Sequence, residues 1–486
     1  MTFRLRGLAK RILMAAIYST LGATFVLLVV FVLHLNSRAD LDIWHTADLD
    51  EEFTDDSGVE SLEEYLDLEQ RLFEQLDELV YEKIPPAQRT VTNRYHRDSL
   101  SDPQRWDQDW NRSFELNSAS PTGSVLLLHG MSDSPYSLRK LGQGLNAAGF
   151  HVVGLRLPGN GTAPSGLLEV KWQDMAAATR LAVRYLAEKN PGQPLYIVGY
   201  STGAALAVHY ALSVQQDTSL PPVKGIVLLS PAIGVSPVAA FAVWQARLGH
   251  LLGLDKLAWN DLLPEYDPFK YGSFAVNAGD VVYRLTTQIQ EEITLLDEAG
   301  KLGKFPPILA FSSVVDATVS APALVSGLFE RLPENGHELV LFDVNRQEGI
   351  EPLMKRNPDE IIREIKQDAD RNFILTIVTN ESPGSRLVTV VSSDPEKEIP
   401  AGSVPGTSWP DNIYSLAHVA LPFSYDDPLY GADESVRSPG IRLGALAMRG
   451  ERDVLQVRAA DMLRLRWNPF YPYVEQRLLA FLGQRE

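Results

Sequence analysis

Between Ser124 and Leu229 the chain alternates short apolar runs with helical stretches, and this alternation limits the fold more than any other feature. The runs are Val125-Leu126-Leu127-Leu128, His151–Leu155, Leu195–Val198 and Ile226–Leu229, each four or five residues long. Runs so short and so continuously apolar suit strands buried on both faces. Between them, helical spacing is expected over Leu138–Ala148, over Trp172–Glu188 and from Thr202 onward. A β-α-β-α-β order implies an open, mostly parallel sheet with helices on both faces. Such sheets bind ligands at the carboxyl ends of their strands, so the residues just after each run are the ones to search.

After Leu195–Val198 stands Gly199-Tyr200-Ser201-Thr202-Gly203, followed by the helix-forming Ala204-Ala205-Leu206. This is G-x-S-x-G in a strand-to-helix turn, a setting that holds the serine in a strained backbone and exposes its hydroxyl. A hydroxyl needs a base before it can act as a nucleophile. With the order serine, acid, histidine, the nine histidines reduce to His337 and His418. His337 precedes the run Glu338–Phe342 and would sit at the amino end of that strand, so His418 is expected to be the base. The acid is expected after a late strand. Asp316 follows Ile308–Val315, and Asp343, after Glu338–Phe342, is the alternative. An oxyanion hole needs two backbone N–H groups aimed where charge develops. Thr202 is expected to supply one. Met131, in the loop Leu128–Pro135, is expected to supply the other, with Gly130 allowing the turn and His129 supporting the loop.

The stretch 124–235 resembles the α/β-hydrolase fold, and within it the monoacylglycerol-lipase and serine-aminopeptidase-like branch. The residues that carry the resemblance are His129-Gly130 with Ser132-x-Ser134-Pro135, Leu157-Pro158-Gly159-Asn160-Gly161, and the elbow at 199–203. Asp316 with Val319 and His418 with Val419 extend it. The resemblance covers 113–345 and 412–484. It implies Ser201, Asp316 and His418 as a triad and Met131 and Thr202 as oxyanion donors. Asn160 departs from the pattern, which has histidine there. The 102 positions from Asp316 to His418 also exceed the usual few dozen. Residues 346–411 therefore read as an insertion, with a charged helix at 358–370 and a hairpin, Phe373–Val378 with Leu387–Val391, around Glu381-Ser382-Pro383-Gly384. Residues 236–305 fall where this fold carries its cap. They are rich in Val238, Phe241, Trp244, Leu248 and Leu251, which suits an apolar acyl group or simply the packing of the cap.

At the amino end, Ile12–Leu33 is 22 residues without a charge. As a helix it would span about 33 Å, against a hydrocarbon core of about 30 Å. Four basic residues precede it and acidic residues begin at Asp40, so residues 1–11 are expected in the cytoplasm and the rest outside, periplasmic if the cell is Gram-negative. The stretch is too long for a signal-peptide core and lacks an Ala-x-Ala site, so an uncleaved single-pass anchor is expected. Residues 40–82 hold 17 acidic residues against Arg71 alone. Here 36–58 reads as a juxtamembrane linker. Residues 60–83 read as an amphipathic helix whose stripe, Leu62, Leu66, Leu72, Phe73, Leu76, Leu79 and Val80, docks on the body or on a partner. The expected division is 1–35 tip and transmembrane helix, 36–112 linker and helix, and 113–486 hydrolase domain.

Hydrophobic residues at 45% and charged residues at 22% exclude wholesale disorder. The absence of cysteine excludes a disulfide scaffold, thiolate metal sites and a cysteine nucleophile. There is no H-E-x-x-H or Walker sequence, and Gly159-Asn160-Gly161 lacks the third glycine of a dinucleotide loop. No cofactor or metal is expected. Without clustered positive charge, no nucleic-acid partner is expected either. The expected function is a membrane-anchored serine hydrolase acting on a small-molecule or lipid carboxylic ester. Acyl transfer, peptide cleavage on the same triad, and a silent binding module remain open.

Overall fold

The computed structural model describes residues 2–234, 254–347, 349, 351–366, 371–394, 402–444, 446 and 454–483. Its centre is a ten-stranded sheet in the order β1-β3-β2-β4-β5-β8-β9-β10-β11-β12. The strands are β1 (Phe114–Leu116), β2 (Ser124–Leu128), β3 (His151–Leu155), β4 (Leu195–Tyr200), β5 (Gly225–Leu229), β8 (Ile308–Ser313), β9 (Glu338–Phe342), β10 (Ile374–Asn380), β11 (Leu387–Ser393) and β12 (Gly402–Ser408). β6 (Trp259–Asp261) and β7 (Phe274–Ala275) pair separately. Every pairing from β3 across to β10 is parallel, while β1 and the β10-β11-β12 meander are antiparallel.

The expected alternation is present, and its cause is visible in the packing. Along β2, Leu126 and Leu128 face one apolar cluster and Val125 and Leu127 the other. The first cluster is closed by helices Trp172–Lys189, Thr202–Gln216 and Val276–Glu298. The second is rich in aromatic residues and is closed by the helix Tyr471–Gly483. A sheet covered on both sides leaves only its strand ends for chemistry. The order reverses at β2, which lies between β3 and β4, with Leu128 opposite Gly199. The loops leaving β2 and β4 therefore emerge side by side.

Several expectations are met differently. The insertion does not stand apart from the sheet. β10 pairs in parallel with β9, with Leu375 opposite Leu339, and the expected hairpin continues the sheet outward. Of the stretch read as a cap, 235–253, with Val238, Phe241, Trp244, Leu248 and Leu251, lies outside the described residues. Its later part, Val276–Glu298, packs against Thr202–Gln216 through His209 Nδ1 and Glu292 Oε2 at 3.0 Å. The acidic stretch read as a linker is laid onto the body, because apolar anchors alternate with its charges. Trp44, Leu49 and Phe53 are buried, and the Arg38 guanidinium donates to the carbonyls of Lys256 and Trp259 at 2.8 and 2.7 Å. The amphipathic helix forms over Leu62–Leu76, capped by Ser61 Oγ, which accepts from Glu64 N–H. It docks on the body through Tyr65, Leu68, Leu72 and Phe73, whereas Leu66 stays exposed.

A helix, α1, runs over Thr2–Ser37, and Leu13, Leu21, Phe25 and Leu27 on it are exposed. Among the described residues, no helix is long and apolar enough to cross a membrane. The side chains at positions 12, 28 and 31 of the expected span lie outside them.

Candidate active site

Ser201 sits in the turn between β4 and the helix that begins at Thr202, with φ 53° and ψ −112°. A non-glycine residue in that region is strained by on the order of 1–3 kcal/mol and needs surroundings that hold it there. Those surroundings are tight. The Ser201 N–H donates to Leu229 O at 2.9 Å, and its carbonyl accepts from Ala232 N–H at 3.1 Å. A Cβ on Gly199 would strike the backbone of Gly203 and Ala204, and one on Gly203 would strike the carbonyl of Leu128. Only glycine lets strand, turn and helix approach this closely, which gives the motif its physical meaning.

His418 opens a single 3₁₀ turn, His418–Ala420, after the insertion. Its Nε2 lies 3.2 Å from Ser201 Oγ, and its Nδ1 lies 2.8 Å from Asp316 Oδ2. Asp316 follows β8, with its side chain fully shielded from solvent. Burial pushes its carboxyl up, but the His418 hydrogen bond and charge, with the N–H groups of Val319 and Thr318, outweigh this and hold it below the usual range. Asp343, the alternative acid, is engaged elsewhere. Its oxygens accept from the Arg346 guanidinium and the Thr379 hydroxyl, each at 2.8 Å. His337 bonds the backbone at Ile308 and Pro333, at the amino end of β9.

The loop after β2 passes directly beside the serine, where a Cβ on Gly130 would lie 3.2 Å from Ser201 Cβ. Among the described residues, the backbone N–H groups of Met131 and Thr202 are bonded to nothing. His129 holds this loop. Its Nδ1 lies 2.8 Å from Gly130 O, and its Nε2 accepts from Leu157 N–H at 2.9 Å, which makes Nδ1 the protonated nitrogen. Burial lowers its pKa to about 3, so the ring is neutral and fixed in that tautomer. Asn160 turns inward with Nδ2 on Pro158 O at 3.0 Å.

Sequence reasoning did not single out Tyr271. Its N–H donates to Ser132 O at 2.8 Å, and its hydroxyl accepts from Thr162 N–H at 2.8 Å, so it ties the loop after β2 to the one after β3. It also missed Lys270, Arg464 and Arg466, which line a cavity with Val419, the residue after His418. No local signal marks these side chains, because charged residues in loops look the same whether they face solvent or a site.

Residues 119–343 match the model of a family described as Hydrolase_4, Serine aminopeptidase, S33. A stretch of 120 residues, 25% of this chain, is 29% identical to the Thermostable monoacylglycerol lipase of Bacillus sp. (strain H-257). The match spans 44% of that curated relative, less than half its length. Among solved structures, a monoacylglycerol lipase of Paleococcus ferrophilus is similar over 48% of this chain and 88% of its own, at 22% identity and a TM-score of 0.36. A structure described with LipS and LipT, two metagenome-derived lipolytic enzymes, is similar over 48% of this chain and 87% of its own, at 21% identity and a TM-score of 0.36. Sheet order, the strand-to-helix turn and the family match together make this an α/β-hydrolase fold.

Proposed function

We propose that this protein is a membrane-anchored serine hydrolase that cleaves carboxylic esters, in the manner of lipases and esterases. The observation that carries the reading is the placement of His418 between Ser201 Oγ and Asp316 Oδ2. In this reading Ser201 Oγ attacks the acyl carbon while His418 Nε2 takes its proton. Asp316 keeps Nδ1 protonated and stabilises the imidazolium. Charge on the former carbonyl oxygen falls to the N–H groups of Met131 and Thr202, which no acceptor among the described residues competes for. His418 returns the proton to the leaving alcohol. It then activates water, which opens the acyl-enzyme and releases the acid. No cofactor enters this sequence of steps. The lipase name of the curated relative favours an acyl ester with an apolar chain.

The anchoring part of the proposal rests on the uncharged stretch Ile12–Leu33, the four basic residues before it, and the exposed apolar side chains of α1. It puts residues 1–11 in the cytoplasm and the body outside. The deciding experiment is turnover of monoacylglycerols and p-nitrophenyl esters of graded chain length by the full-length protein in detergent, beside fluorophosphonate labelling. Turnover and labelling that both vanish in Ser201→Ala support the reading. Labelling that persists in that variant overturns it.

A further inference from the structure

Lys270, Arg464 and Arg466 converge on one cavity of about 150 Å³, together with Tyr266, Tyr271 and Val419. Three links place it near the site, although Ser201, Asp316 and His418 do not themselves line it. Val419 is next to His418. Arg464 donates to Thr318 Oγ1 at 3.2 Å, two residues beyond Asp316. Tyr271, the neighbour of Lys270, holds the carbonyl of Ser132, the neighbour of Met131.

The cations there are under-compensated. Lys270 is half-buried, yet among the described residues its ammonium makes no hydrogen bond or ion pair. Among the described residues, Arg464 has only the Thr318 hydroxyl as acceptor, while Arg466 has the Tyr266 hydroxyl at 3.4 Å and the charge of Asp267 nearby. Two acids also line the cavity, one paired with an arginine outside the lining and the other a counter-charge to Arg466. Asp461 is paired with Arg458 at 2.8 Å, and Asp267 accepts from the Tyr430 hydroxyl at 2.6 Å and from Phe269 N–H at 3.0 Å. Asp133 also feels the Lys270 charge; burial lifts its carboxyl to about 6, so it is still mostly ionised at neutral pH and offsets part of that charge from outside the cavity lining. Partly desolvated cations without acceptors cost free energy unless something negative meets them. A chain with a net charge of −18 does not place three there by general excess of base.

We propose that this cavity receives an anionic group, phosphate or carboxylate, carried by the ester that Ser201 attacks. The inference rests on the hydrolase reading above and narrows its substrate class. Lys270 and Arg464 act as specificity-determining residues. They hold the anion while the carbonyl is presented to Ser201.

The test compares three compounds with full-length protein in a neutral detergent: a monoacylglycerol, the 1-acylglycerol 3-phosphate of the same chain, and free glycerol 3-phosphate. The expected result is a kcat/KM for the phosphorylated ester higher by about tenfold or more, the worth of a hydrogen bond to a charged group. The preference should shrink as salt screens it. Lys270→Gln and Arg464→Gln should each lower the ratio of phosphorylated to neutral turnover by about tenfold, and Lys270→Arg should retain it. Continued turnover of the neutral ester shows that a variant is folded. Equal rates on the two esters, with a ratio untouched by Lys270→Gln, would overturn the proposal and leave the hydrolase reading intact. Inhibition by glycerol 3-phosphate without preference for the phosphorylated ester would also overturn it, by assigning the cavity to a free anion. Absence of turnover on both esters together with absence of fluorophosphonate labelling at Ser201 would remove the hydrolase reading and this one with it.

Discussion

Arg156 and Glu69 stand 87 positions apart in the chain and 3.0 Å apart in the fold, with 0% and 4% of their side chains exposed. Glu52 grips the same guanidinium at 2.9 and 3.1 Å and also accepts from Gly159 N–H at 2.9 Å. The acidic amino-terminal segment is thus fastened to the loop at 157–161. That loop in turn reaches the site, because Leu157 N–H is the donor to His129.

Removing the cation leaves two carboxylates unpaired, so Arg156→Met should lower stability by about 3–5 kcal/mol. Glu69→Gln leaves Arg156 paired with Glu52 and should cost less, about 1–3 kcal/mol. Glu63→Gln, on the exposed face of the same helix, should stay within about 0.5 kcal/mol. Urea denaturation followed by circular dichroism separates the two outcomes. Equal effects would mean that the segment is held by its apolar contacts alone.

Ser201 and His418 act in one step in the proposed mechanism, so their losses should not add. Ser201→Ala and His418→Ala should each abolish most ester turnover, and the double variant should be hardly slower than either. Multiplied losses would show that His418 does not activate Ser201.

Asp316→Asn should keep the fold and lower kcat on the order of 10⁴-fold, by analogy with the protease triad. Asp343→Asn should do the opposite. It should leave kcat within severalfold but destabilise by about 1–3 kcal/mol, since Arg346 loses a charged partner. Steady-state kinetics and thermal melts on the two variants decide the assignment. A reversed ranking would move the acid to Asp343.

The pH dependence has a sign that can be worked out. Asp316 titrates below its ordinary range in the fold, so its stabilisation is complete above that range and is lost as pH falls through the lowered value. His129 runs in the same direction for another reason. Burial keeps it neutral to about 3, whereas in the unfolded chain it takes a proton near 6.5. Below pH 6.5 it therefore removes about 1.4 kcal/mol of stability per pH unit. Buried carboxyls run the other way, Asp133 raised to about 6 and Glu265 to about 7. The whole-protein slope is thus a difference, and His129 is best followed directly. Its ring resonances should not titrate between about pH 8 and 4, and a midpoint near 6.5 would contradict its role as a neutral brace.

How much of this was legible in the sequence depended on how local its cause is. The buried strands show as apolar runs, and the turn at Ser201 shows because Gly199 is demanded by contacts within five residues, while Gly203, pressed against the distant Leu128, falls in the same short motif. The hairpin β10–β11 shows through alternation and Ser382-Pro383-Gly384. Its parallel docking on β9 does not, because strand pairing is decided by neighbours far away in sequence. The same holds for the acidic segment. A count of charges makes Glu52 and Glu69 look like any other exposed glutamates, and only the buried Arg156 distinguishes them. Order and context pointed to Ser201, His418 and Asp316, and the fold brings the three within hydrogen-bond distance of one another in series. Tyr271 and the cations around Val419 belong to no motif, and their position follows from the fold alone.

The ten-stranded sheet also sets the order in which the site can be assembled. Asp316 leaves the sheet before β9, but His418 arrives only after β10, β11 and β12, through a segment pinned by Asn345 to the carbonyls of Ile413 and Tyr414 at 2.9 and 2.8 Å. Closing that circuit is a long-range event, and such contacts form late and slowly. In the proposed mechanism, a chain whose outer strands have not yet paired would hold its serine and its acid without the imidazole that joins them, and would be inert. Recovery of esterase activity during refolding should accordingly lag behind recovery of helical signal. Activity would then be a clock for the pairing of the outer strands rather than for collapse of the core.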